Sequence, residues 1–155
     1  MKKYIFIFGI LVMTFGVVIT AYADARFNGT WIYVETGEKW VMKNGDFEAT
    51  LGKNITRGTF TVNNGLLTST VTHFLFDNEM ASEFGIEPNK WLTANEFIVA
   101  FNNFAQRQRI PDVLINKILD LLINFPPFSY SIDVNTMVLT QNVGGTRIVR
   151  IFNRH

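Results

Sequence analysis

The chain has 155 residues, with 14 Lys and Arg against 13 Asp and Glu, and no cysteine. That length is one domain's worth, and there is no basic run or basic excess of the kind that holds nucleic acid. Without cysteine the fold has no disulfide framework, no thiolate nucleophile and none of the usual structural zinc sites.

Met1-Lys2-Lys3 is a short basic start, followed by an apolar run from Tyr4 to Ile19 and by the small residues of Ala21-Tyr22-Ala23. A basic n-region, an apolar h-region and an A-x-A end predict a cleavable signal peptide over residues 1–23. The alternative is an uncleaved anchor, since the run is near the spanning length. The cleavage site favours removal, which leaves no stable membrane anchor. The mature domain would be residues 24–155, in which 12 basic residues face 13 acidic ones once Lys2 and Lys3 are gone. An exported chain free of cysteine points to a bacterial periplasmic or secreted location.

From Thr30 the chain alternates as strands do. Thr30 to Glu35 is β-branched and aromatic, and Thr36-Gly37 ends it. Glu38 to Lys43 puts Trp40 and Met42 on one face, and Asn44-Gly45 is the residue pair that a type I′ hairpin turn favours. Asp46 to Leu51 follows with Phe47, Ala49 and Leu51 inward, then Ile55 to Val62 with Phe60 and Val62 on one face. Asn63-Asn64-Gly65 turns the chain into Leu66 to Phe76, a long strand whose Leu67, Ser69, Val71, His73 and Leu75 share a face. Five strands on short turns make an antiparallel meander.

Beyond Asn78 the period changes. Thr93-Ala94-Asn95-Glu96 has the spacing of a capping box, with Phe97, Phe101 and Phe104 at helical intervals behind it. Pro111 and Asp112 open a second helix, whose apolar face would be Val113, Leu114, Ile118, Leu121 and Leu122, and Pro126-Pro127 ends it. Residues 79–125 therefore read as a helical insertion, chiefly an αα-hairpin. Strands return at Phe128 to Asp133, Thr136 to Gln141 and Thr146 to Asn153. The predicted fold is all-β with a helical insertion: an eight-stranded antiparallel up-and-down barrel, with the αα-hairpin between strands five and six. Eight strands close a barrel just wide enough for packed side chains or one small ligand.

Gly29-Thr30-Trp31 gives a Gly-x-Trp opening to the first strand. With the Trp40/Asn44-Gly45/Phe47 hairpin, the Gly58-Thr59-Phe60 strand and the arginine-bearing last strand, the chain resembles the lipocalin-like (calycin) barrels. It is closest to small bacterial secreted lipocalin-like domains. The resemblance implies that a basic side chain near the end of the barrel packs over Trp31. Arg150 or Arg154 is the candidate for this structural latch, and Gly29 would allow close backbone approach. Fatty-acid-binding relatives place two helices after the first strand, so the ligand transfers as a class alone: a small hydrophobic molecule held in the barrel.

The ligand-binding residues expected on the inward faces are Tyr33, Trp40, Phe47, Phe60, Val71, His73, Tyr130 and Arg150. His73 is a head-group contact or an acid/base if functional, and a hydrogen-bonded core histidine if not. The core reading is the one expected. Arg150 needs a carboxylate, an aromatic face or a ligand beside it. No G-x-S-x-G, H-E-x-x-H or phosphate-binding glycine loop occurs, so no catalytic residue, cofactor or metal site is expected. The second helix is apolar on more than one side, and packing within the chain is the first expectation for it. Function then reads as non-enzymatic binding of a small hydrophobic molecule. The alternative is an envelope-structural or interaction module with a solid core, docking a protein partner through residues 93–123.

Overall fold

A computed structural model describes residues 24–115 and 127–155. The expected signal peptide and all but the start of the expected second helix lie outside the described residues. Among the described residues nine strands form: β1 Gly29–Tyr33, β2 Lys39–Lys43, β3 Asp46–Leu51, β4 Asn54–Asn63, β5 Leu66–Leu75, β6 Trp91–Thr93, β7 Phe128–Ile132, β8 Thr136–Val143 and β9 Thr146–Arg154. Two helices, α1 Asn78–Phe84 and α2 Ala94–Arg107, flank the short β6.

Eight of these strands pair in the order β4-β3-β2-β1-β9-β8-β7-β5, and a β4–β5 pairing closes the ring into an antiparallel barrel. β6 is an addition to the upper half of β5, opposite His73 to Leu75, while β7 meets β5 at Leu66 and Leu67 alone. Local chemistry sets most of the register. Asn44-Gly45, Asn64-Gly65 and Gly144-Gly145 all have positive φ at both positions, the type I′ geometry that matches the strand twist. The strands they join stay in register right up to the turn, Lys43 opposite Asp46 and Asn63 opposite Leu66.

Because neighbouring strands alternate in direction, the β1–β2, β3–β4 and β8–β9 turns share one end of the barrel with the helical connection. Asp24 and His155 lie at the other end. There a 3-10 turn, Ala25–Phe27, buries Phe27 fully, and Phe27 packs on Phe60 and Tyr130 at 5.7 and 4.9 Å between ring centres.

The helical insertion matches the expected capping box: Glu96 N–H donates to Thr93 Oγ1, and Thr93 N–H donates to the Glu96 carboxylate at 2.7 Å. Behind it Phe97, Phe101 and Phe104 are buried. They meet Phe74, Phe76 and Phe84 in a continuous phenylalanine cluster, the closest pair being Phe74–Phe97 at 4.4 Å. Packing within the chain therefore covers the apolar face of α2. The first turn of the expected second helix, residues 112–115, is helical. It buries Ile115 and leaves Val113 and Leu114 exposed, so its inward face is turned from the one the spacing predicts.

The inward assignments of His73 and Leu75 are overturned. His73 is exposed, because β5 carries a bulge: Arg57 pairs with His73 but the adjacent Gly58 pairs with Val71. Thr72 is the extra residue, and it inverts the alternation. Below it Leu67, Ser69 and Val71 are inside; above it Phe74 and Phe76 are. Gly58 makes the bulge possible. A Cβ there would run into the Thr70 carbonyl oxygen and lie 2.6 Å from Phe47 Cε1.

Candidate functional site: a polar cluster inside the barrel

The β1–β2 connection is a tight loop in which Gly37 N–H donates to the Tyr33 carbonyl and Tyr33 N–H to the Glu38 carbonyl at 2.8 Å. It delivers Glu38 to the strand in phase with Trp40 and Met42, so its carboxylate turns into the barrel. On the last strand Arg150 is in phase with Phe152 and opposite Leu139, and it also points inward. Glu38 and Arg150 are each only 4% exposed, and Trp40 is 1% exposed. Phe152 ties the cluster together, its ring 5.1 Å from Trp40 and 5.2 Å from Tyr33. The Arg150 guanidinium lies 5.5 Å from the centre of the Phe128 ring. Gln141, the inward residue after Leu139 on β8, is buried as well.

The polar atoms of this cluster are poorly served. Among the described residues, Glu38 Oε2, Trp40 Nε1 and Arg150 Nη1 are sealed from solvent and none makes a well-aligned hydrogen bond, although the Trp40 indole N–H reaches toward the Glu38 carboxylate. A tight ion pair would pull the Glu38 carboxyl down and push the Arg150 guanidinium up. Both move the other way. Burial raises Glu38, outweighing the nearby Trp40 indole and the Arg150 charge, and burial lowers Arg150 despite Glu38, Tyr33 and Glu35. At the rim Tyr33 donates its hydroxyl to Glu35 at 2.7 Å, and burial with that contact pushes its phenol up to about 12. A buried polar atom left unpaired costs about 1–3 kcal/mol, more when charged.

Of the residues expected to line the interior, the structure brings Tyr33, Trp40 and Arg150 together here, with Phe47 stacked on Trp40 at 5.8 Å. Val71 is inside on β5. Phe60 and half-buried Tyr130 belong to the far end, around Phe27. His73 is outside, its edge toward Trp91 and its Nδ1 3.0 Å from Thr72 Oγ1. Glu38 and Gln141 escaped the sequence reading, although each keeps the two-residue phase of its strand's apolar side chains.

The latch is divided as well. Arg154, not Arg150, lies over Trp31, 4.4 Å from the ring, and Arg154 Nη2 donates to the Arg26 carbonyl at 2.8 Å. Trp31 is fully buried and donates its indole N–H to the Phe27 carbonyl at 2.7 Å. Arg150 lies four residues earlier on the strand, opposite Leu139, too far from Trp31 to reach it. Gly29 contributes through its φ of +141°, which other residues rarely adopt, while Arg154 stays 3.9 Å from where a Cβ would stand.

No protein-family model, curated protein or solved structure matches this chain. The site must speak for itself.

A concavity of about 660 Å³ lies on the outer face of β2 to β5, bordered by Val41, Lys43, Glu48, Arg57, Thr72 and His73. Its main cation is already engaged: Arg57 donates to Glu48 at 2.8 Å and stacks 4.2 Å over Trp91. That is how a solvated sheet face settles its charges. Among the described residues no three His, Asp or Glu side chains gather as a metal would need. No described helix is long and apolar enough to cross a membrane.

Proposed function

We propose that this protein is an exported, non-enzymatic binding protein of lipocalin-like type. It takes a small, largely apolar molecule into the helix-bearing end of the barrel, polar end against Glu38, Trp40 and Arg150. One observation carries the reading: a buried, poorly satisfied Glu38–Trp40–Arg150 cluster in an aromatic interior, with Arg150 Nη1 sealed and without a hydrogen-bond partner. A ligand head group supplies what the chain withholds, while Tyr33, Phe47 and Phe152 give the apolar body its contacts. The lipocalin-like layout supports the assignment, with one end of the barrel closed by a 3-10 turn and the Trp31–Arg154 latch.

A second reading is favoured by the close filling of the barrel, where Trp31, Phe27, Leu67, Met137, Leu139 and Phe152 are each 0% exposed. On that reading the core is solid and the module is structural, or docks a protein partner through residues 93–123. Native mass spectrometry of the mature protein from its own cells, before and after delipidation, separates the two. The binding reading expects a co-purifying small mass that delipidation removes. A bare protein mass, with no uptake from an added lipid mixture, would establish the solid core instead.

A further inference from the structure

We propose that Asn64 is a site of spontaneous modification, where the side-chain amide is lost and aspartate or isoaspartate is left in the β4–β5 turn. The inference does not depend on the binding reading. Its chemistry is that of an Asn-Gly pair. The Gly65 backbone nitrogen attacks Asn64 Cγ, and the amide group leaves with the Gly65 proton as ammonia. Water then opens the cyclic imide at one carbonyl or the other. Glycine favours the step because it carries no side chain beside the attacking nitrogen.

The sequence holds three such pairs, Asn28-Gly29, Asn44-Gly45 and Asn64-Gly65, and the structure sets them apart. Asn44 and Asn64 each lead a type I′ turn, with φ of 53° and 50°, so their backbones start alike. Their side chains do not. Asn44 N–H donates to Asn28 Oδ1 at 2.8 Å, and Asn28 Nδ2 donates to Asn44 Oδ1 at 3.4 Å. Each of these amides must give up its partner before its Cγ can turn to the next nitrogen. Asn64 is exposed, and among the described residues no hydrogen bond holds its side chain. Nothing stands within 4 Å of where a Gly65 Cβ would be, so the ring has room to close. Isoaspartate then routes the backbone through Cβ, which lengthens a turn that fits only with Asn63 opposite Leu66.

The test holds the folded protein in mildly alkaline buffer and follows its peptides by fragmentation mass spectrometry that tells aspartate from isoaspartate. Asn64 should convert at least about tenfold faster than Asn44, the worth of one hydrogen bond that must break first. In urea the two rates should converge, and in folded N28A, where the clasp is gone, Asn44 should rise toward the rate of Asn64. Equal rates in the folded parent, or an Asn64 that stays intact, would overturn the proposal. So would an Asn44 rate unchanged in N28A, or a gap that persists in urea and so belongs to the local sequence.

Discussion

Burial pushes the Glu38 carboxyl above the ordinary glutamate range, so the folded chain holds that proton more tightly than the unfolded chain does. Folding stability must then fall as pH rises from the ordinary glutamate pKa through the raised one, and level off beyond it. E38Q should abolish that fall and be more stable than the parent at neutral pH. Urea midpoints of both proteins across that range check it, and a slope unchanged in E38Q would refute it. Asp24, Glu96 and Asp133 do not blur the comparison. Hydrogen bonds to Arg26, Thr93 and Asn135 respectively hold their carboxyls below the usual values, so their contribution is lost only as pH falls through that lower range.

At the scale of elements, the bulge in β5 decides what faces inward, and Gly58 is its weak point. G58A should cost about 3 kcal/mol, because the obstacle is the Thr70 backbone carbonyl and an enclosed Phe47 ring rather than a flexible side chain. Chemical denaturation reads this directly, and a loss under about 1 kcal/mol would mean the strands can separate there. T93A should cost about 1 kcal/mol by opening the capping box at the start of α2. Strands and hairpins were legible in the sequence because both signals are local: two-residue alternation, and Asn-Gly or Gly-Gly pairs where φ must be positive. The bulge was not. It depends on Gly58 of one strand meeting Thr72 of another, which neither segment reveals alone, and so His73 was assigned to the wrong face. α1 is only 7 residues long, too short for a period, although Asp77 as N-cap and Gly85 in the left-handed conformation after its end were visible signs.

Across the whole molecule the barrel has two unlike ends. The far end is stapled: Arg154 covers Trp31, Trp31 holds the Phe27 carbonyl, and His155 N–H donates to Thr30. R154A should lower stability by about 1–2 kcal/mol through the lost ring contact and hydrogen bond, with no effect on ligand uptake. The helix-bearing end holds the unsatisfied cluster, and there stability and function are opposed. The candidate site was half legible for that reason. Tyr33, Trp40 and Arg150 could be placed inward by phase, but an inward glutamate breaks the rule that charges face water, so Glu38 was passed over.

The central claim is that this cluster is kept for a ligand and not for the fold, and equilibrium urea unfolding of the ligand-free E38L/R150M double variant tests it most directly. Replacing a poorly satisfied buried pair by apolar side chains of similar size should leave the protein as stable as the parent, or more stable by about 1–4 kcal/mol. A double variant that is less stable by about 2 kcal/mol or more would show that the pair holds the barrel together, and would contradict the account.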